Sequence, residues 1–132
     1  MSSIIAKTLI TLAVCIFAVV IPILEVNASH VFNPDWPSHA RFHEVWQLLT
    51  NTTLGLLCLW LAWFNKQIRL TGVLVTIIMG SVLVAHALEK EYGGSVISGN
   101  ISKTLLGMEL AAAAAGLAVL MAIVAMVLAP RQ

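Results

Sequence analysis

Four long apolar runs, separated by short polar stretches, dominate the pattern of positions along the chain. They cover residues 8–24, 45–64, 70–88 and 105–128. Each run is long enough for a helix that crosses the ~30 Å hydrocarbon core of a bilayer, which takes roughly 17–25 residues. The pattern therefore predicts an all-α integral membrane protein, with a single domain over 1–132 and four transmembrane helices in an antiparallel up-down bundle.

The polar residues between the runs set the expected bounds of the helices. We expect helices over about 4–25, 39–64, 70–89 and 103–129, with a polar, His-rich loop at 26–42. Pro37 and Ser38 indicate the start of the second helix, with Ser38 as its N-cap. One alternative stays open for the first run: Lys7 before it and the small residues near Ala28 after it also fit a cleavable signal peptide.

Composition supports the membrane class and excludes one class of partner. The chain is 60% hydrophobic and 10% charged, against roughly 25% charged in soluble domains. A net charge of +1 and the absence of any Lys/Arg run exclude a nucleic-acid partner. The expected surrounding is the lipid bilayer, and a chain of this size fits a homo-oligomer.

The distribution of cations predicts the orientation in the membrane. The two chain termini and the turn between the second and third helices share one side of the bundle. That side holds four cations and no carboxylate, namely Lys7, Lys66, Arg69 and Arg131, whereas the opposite loops hold three cations and five carboxylates. Because cytoplasmic loops are enriched in Lys and Arg, we expect a multi-pass protein of the cell (inner) membrane with both termini cytoplasmic.

Ionisable side chains concentrate at the opposite, non-cytoplasmic ends of the helices. The stretch 25–47 alone holds three of the four histidines and three of the six carboxylates. Ionisable groups at membrane depth cost about 2.5–3.5 kcal/mol each at a helix centre, and they commonly mark function. The candidate catalytic residues are therefore Glu44, His86 and Glu109, with Glu109 about one turn inside the fourth helix.

The spacing of polar residues in the second helix sharpens this prediction. His39, His43, Gln47 and Asn51 recur every four residues, so they share one helical face. A His-x-x-x-His pair can point two imidazoles at one divalent metal, such as zinc or iron, and His86 could complete the ligand set. The metal candidates are thus His39, His43 and His86. The expected substrate pocket is lined by Gln47, Asn51, Trp46 and His30.

The loop sequence N-A-S-H-V-F-N-P-D-W-P-S-H-A-R-F-H, residues 27–43, resembles that of a family of small, uncharacterised four-helix membrane proteins. The resemblance covers this loop and the four-span layout. It implies the same architecture and brings no activity, substrate or cofactor with it. The chain is also similar to sterol-isomerase-like membrane proteins, which place His and Glu in a membrane cavity. This second resemblance is limited to the types of residue.

The leading prediction of function is an enzyme that acts on a lipophilic small molecule in a His/Glu pocket. It would use either a bound metal or His/Glu acid–base chemistry. Two alternatives stay open: a non-catalytic binding or transport subunit that relays protons or metal ions, and a metal-free proton-transfer enzyme of the sterol-isomerase type. In the leading case, His39, His43, His86 and Glu109 are expected to act as one unit.

Overall fold

A computed structural model describes residues 2–97, 104–105 and 107–130, with side chains from Ile4 onwards. Helices make up most of the described chain. They are α1 (Ser2–Cys15), a π-helical segment (Ile16–Val20), α2 (Ile21–Glu25), α3 (Ser38–Trp63), α4 (Ile68–Ala87), α5 (Glu89–Tyr92) and α6 (Leu110–Leu128). Two short antiparallel strands, β1 (Thr104–Leu105) and β2 (Met108–Glu109), precede α6.

Four helical stretches of the described chain are long and apolar enough to cross a membrane. They are Ile4–Glu25, which joins α1, the π-helical segment and α2, and then Ser38–Trp63, Ile68–Ala87 and Leu110–Leu128. The number of spans agrees with the four apolar runs, so the chain has the make-up of a multi-pass membrane protein.

The structure differs from the sequence expectation at two helix starts. The fourth helix begins at Leu110 instead of near 103, because a hairpin pairs Thr104 with Glu109 and turns at Gly107, whose φ is 80°. Glu109 is therefore the N-cap residue of α6 and lies outside the helix. α3 does begin at Ser38, but Pro37 occupies the N-cap position and no side chain caps the helix.

Small residues allow α6 to pack closely against α1 and α4. Its buried side chains are all alanines, at positions 112, 115, 118, 122 and 125. On the facing helix, a Cβ atom at Gly72 would meet the Met126 side chain. Close approach of this kind increases van der Waals contact, which drives helix association where the surroundings are apolar. Phe17, Ile10 and Met79 are the largest fully buried side chains.

α3 packs against the π-helical segment as well as against α1 and α4. A Cβ atom at Gly55 would meet the Cβ atom of Ala18, so the two backbones lie very close. Pro22 has no N–H group and cannot donate to the carbonyl of Ala18, four residues earlier. That carbonyl accepts a hydrogen bond from Thr52 Oγ1 at 3.4 Å.

A second set of polar contacts connects other helix ends. Trp63, at the end of α3, donates from Nε1 to Thr11 Oγ1 of α1 at 3.0 Å, and the ammonium of Lys7 lies 5.1 Å from its ring centroid. Arg69, at the start of α4, donates to the carbonyl of Ala129 just after α6, at 3.4 Å. These contacts join the start of α1 to the end of α3 and the start of α4 to the end of α6.

Candidate functional site

Two carboxyl groups meet where the first span ends and the second begins. Glu25 is the last residue of α2, and Glu44 lies in the second turn of α3. Their side chains are neighbours, close enough for a hydrogen bond and for repulsion between like charges. Oε1 of Glu44 is buried and has no hydrogen-bond partner among the described residues. Because a carboxylate has no donor, a hydrogen bond between them needs a proton on one of the two groups.

The chain after Glu25 folds back over the end of α2. The backbone carbonyl of Glu25 accepts hydrogen bonds from the N–H groups of Asn27 and Val31, at 2.8 and 3.2 Å. These bonds satisfy a helix-end carbonyl that would otherwise lack a donor. The fold of the loop therefore holds Glu25 at a fixed place beside α3.

His30 belongs to the core of this loop. The hydroxyl of Ser29 donates to Asn27 Oδ1 at 2.7 Å, so its oxygen is left to accept from Nδ1 of His30 at 2.9 Å. The ring of Trp36 packs edge-on against the imidazole of His30 at a centroid distance of 5.6 Å. His30 is buried, and the predicted role in a substrate pocket stays a prediction.

His39 and His43 form a pair on the exposed face of α3. Their Nε2 atoms are 3.0 Å apart and their ring centroids 4.4 Å apart. The indole of Trp46 stacks on His43 with a centroid distance of 5.7 Å. Both histidines are exposed, so the pair faces away from the helices that pack against α3.

A shallow groove continues from this pair along α3. It has a volume of about 330 Å³ and is lined by His43, Trp46, Gln47, Thr50 and Asn51. Three of the residues expected to line a substrate pocket, Trp46, Gln47 and Asn51, thus share one surface. All the lining side chains come from a single helix, so the opposite wall of the groove is open.

A third polar pair lies at the end of α4. Nδ1 of His86 and Oε2 of Glu89 are 3.0 Å apart, and the N–H of Val96 donates to the same oxygen at 3.1 Å. The hydrogen bond from His86, followed by that from Val96, lowers the pKa of Glu89. Glu89 therefore accepts from two donors as a carboxylate and fixes the imidazole of His86 through Nδ1.

The structure brings the predicted site residues together as pairs. α3 turns Glu44 towards α2, whereas His39 and His43 lie on its exposed face. Within the part of the chain that is described, no three His, Cys, Asp or Glu side chains are placed to hold one metal ion. The three-histidine metal centre and the four-residue catalytic unit therefore stay predictions. His86 is instead paired with Glu89, and Glu109 precedes α6.

The sequence interpretation left Glu25 out of the candidate site, and it also left out Glu89, the partner of His86. Glu25 and Glu44 flank the same loop, and both lie within two helical turns of a helix end on the polar side of the pattern. The sequence therefore indicated that Glu25 and Glu44 lie at a similar depth. It did not indicate which face of α3 turns towards α2, because Glu44 and His43 are adjacent and only helix packing decides which of them faces α2.

Comparison with known proteins finds no relative of this chain. No protein-family model matches the chain, and no curated protein or solved structure gives a significant match.

Proposed function

We propose that the four spans cross the cell (inner) membrane as an antiparallel up-down bundle with both termini cytoplasmic. The contacts of Trp63 with Thr11 and of Arg69 with Ala129 pair starts of helices with ends of helices, as this topology requires. The contact between Glu25 and Glu44 does the same at the other end of α3. In this arrangement the three polar pairs share one non-cytoplasmic layer.

We propose further that the protein is an enzyme that transfers protons to and from a lipophilic small molecule. The observation that carries this proposal is the contact between the carboxyl groups of Glu25 and Glu44, with one buried oxygen of Glu44 left without a partner among the described residues. Two like charges in contact cannot both ionise readily, so such a pair holds one proton and one basic oxygen side by side. A group of this kind can act as both general acid and general base.

The surroundings of the pair favour an apolar, uncharged substrate. Glu25 follows Ile23 and Leu24, both exposed on the surface that would face lipid. Arg41, the cation nearest to Glu44 in sequence, donates to the carbonyl of Asn33 at 3.1 Å. This cation is thus engaged within the loop. A lipid-soluble ketone or alkene that exchanges a proton next to its functional group fits these surroundings.

Proton exchange in heavy water tests the proposal directly. Protein in liposomes is incubated in D₂O with a panel of lipid-soluble ketones and alkenes, and deuterium in the recovered compounds is measured by mass spectrometry. We expect incorporation to fall by about 10²–10⁴-fold in Glu25→Gln and Glu44→Gln, the range for loss of a general acid or base. The exposed carboxylate Glu91 provides the control, since Glu91→Gln should exchange like the wild type.

Infrared spectroscopy gives a second readout that needs no substrate. A proton held between two carboxyl groups gives a carbonyl stretching band of a protonated acid, which shifts in D₂O. That band should be lost or displaced in both glutamine variants and kept in Glu91→Gln. Exchange activity that survives in both variants, or the absence of the band in the wild type, would contradict the proposal.

A further inference from the structure

The exposed face of α3 carries polar side chains in the middle of a membrane span. Gln47, Thr50 and Asn51 lie about 14–20 Å from the start of this helix, at 1.5 Å per residue. Gln47 and Thr50 are exposed and Asn51 is half-buried. None of the three forms a side-chain hydrogen bond with any described residue. Because hydrocarbon offers no partner to an amide group, this face needs another polar surface against it.

The exposed residues of this face follow the spacing of a helix-pairing seam. His39, His43, Trp46, Thr50 and Thr53 are separated by alternating steps of four and three residues, and all are exposed. Leu57 and Trp60 continue the same alternation and are also exposed. A repeat of 3.5 residues keeps one stripe in contact with a neighbouring helix along its length. The described chain supplies no such neighbour on this side of α3.

The two histidines at the top of the seam lie close enough together to bind one metal ion. Imidazole nitrogens bind zinc at about 2.0–2.1 Å, so two ligands on one ion lie about 2.9–3.4 Å apart between right-angle and tetrahedral geometry. The Nε2 atoms of His39 and His43 are 3.0 Å apart, a hydrogen-bonding distance, so a separation larger by about 0.3–0.4 Å suits a tetrahedral ion. Both residues lie within about 8 Å of the start of α3, where an ion can enter from water. In the described chain no third His, Cys, Asp or Glu joins them.

We propose that two copies of this chain pack α3 against α3 and that His39 and His43 of both copies bind one divalent transition-metal ion. Two copies inserted in the same orientation are related by an axis along the membrane normal, so each residue meets its own equivalent at the same depth. The two histidine pairs then supply four nitrogen ligands, and zinc prefers four ligands in tetrahedral coordination.

A second copy also satisfies the amide groups below the metal. Gln and Asn each carry both a donor and an acceptor, so each is complementary to the same residue of the other copy. Side chains of this type hydrogen-bond across helices in membranes. The groove lined by Trp46, Gln47 and Asn51 thereby acquires its missing wall. This inference is independent of the proton-transfer proposal, because Glu25 and Glu44 meet on another face of α3.

Metal stoichiometry tests the ligand set. The purified full-length protein is titrated with Zn²⁺ by calorimetry and with Co²⁺ by visible absorption, which distinguishes tetrahedral from octahedral sites. We expect one ion per two chains with tetrahedral geometry, and loss of this binding in His39→Ala and His43→Ala. His86→Ala should bind as the wild type does. One ion per chain, no binding, or loss of binding in His86→Ala would overturn the proposal.

Cross-linking tests the second copy without removing a ligand. In a chain with Cys15 and Cys58 replaced by alanine, Thr50→Cys places one thiol in the seam, and Leu117→Cys places one on the exposed side of α6. Oxidation in membranes should give disulfide dimers of Thr50→Cys, more with Zn²⁺ than with a chelator, and few of Leu117→Cys. Equal cross-linking of both positions, or a protein that stays monomeric with Zn²⁺, would assign the face to a different partner and overturn the proposal.

Discussion

At the scale of single residues, Glu89 connects the end of α4 to the loop that follows. Its carboxylate accepts from His86 on α4 and from the N–H of Val96, seven residues further on. Gly93 ends α5 with a φ of 71°, the left-handed conformation that glycine adopts without strain, and so turns the chain back towards Glu89. The position of His86 therefore depends on the charge of Glu89.

This dependence predicts a loosening of the 89–97 segment in acid. The pKa of Glu89 is lowered in the folded chain from its usual value of 4.5. Its stabilising contribution is therefore complete above about pH 4.5 and is lost as the pH falls through the lower folded pKa. Hydrogen exchange of the Val96 amide, expressed as protection relative to the unstructured peptide, should decrease over that range. In Glu89→Gln protection should be weak at every pH, and pH-independent protection in the wild type would contradict this.

Two helical glycines of the spans provide a matched pair of substitutions. A Cβ atom at Gly55 would meet Ala18, whereas a Cβ atom at Gly80 meets no atom within 4 Å. We expect Gly55→Ala to destabilise the fold by about 1–3 kcal/mol through overpacking. Gly80→Ala should be neutral or should stabilise by up to about 1 kcal/mol, because alanine favours the helix. Unfolding in SDS titrations measures both, and equal effects would argue against close packing at Gly55.

At the scale of elements, the π-helical segment is the feature that shapes the first span. Pro22 removes a donor from the helix just after this widened turn, and the carbonyl of Ala18 within the turn accepts a hydrogen bond from Thr52 Oγ1 of α3. An interruption near a proline is a recognised cause of helix bending. Sequence reasoning predicted an uninterrupted span here, because hydrophobic periodicity carries no information about which carbonyl lacks a donor.

A double-mutant cycle tests whether Thr52 compensates for Pro22. Thr52→Val keeps the shape of the side chain and removes the hydroxyl, so it should cost about 0.5–1.5 kcal/mol, the net value of one hydrogen bond. Pro22→Ala restores an N–H that can bond to the carbonyl of Ala18. In that background we expect Thr52→Val to cost markedly less, since coupled residues give non-additive changes. Additive losses in SDS unfolding would show that the two residues act separately.

At the scale of the whole molecule, the four spans were predictable and the faces of the helices were not. The length and apolarity of the runs identify Ser38–Trp63 and the other three spans, because every helix that crosses a bilayer must be long and apolar enough to do so. The neighbours Glu44 and His43 are both polar residues of one turn, yet Glu44 meets Glu25 and His43 lies exposed. Periodicity placed His39 and His43 on one face, and their Nε2 atoms lie 3.0 Å apart. Contacts between helices decide which face of each helix is buried and which is exposed.

The orientation of the whole molecule gives the last prediction, since it decides which side of the membrane the carboxyl and histidine pairs face. A fluorescent reporter that matures only in the cytoplasm should fluoresce when fused after Gln132, and a phosphatase that is active only in the periplasm should be inactive there.

In Lys66→Gln/Arg69→Gln the side proposed to be cytoplasmic keeps two of its four cations, against three in the opposite loops. Because orientation follows this Lys/Arg bias, a fraction of the chains should then insert inverted. Lys66→Arg/Arg69→Lys keeps both charges and should behave as the wild type, which separates a charge effect from loss of the contact between Arg69 and Ala129. Phosphatase activity of the unaltered fusion would place both termini, and with them the polar pairs, on the opposite sides from those proposed.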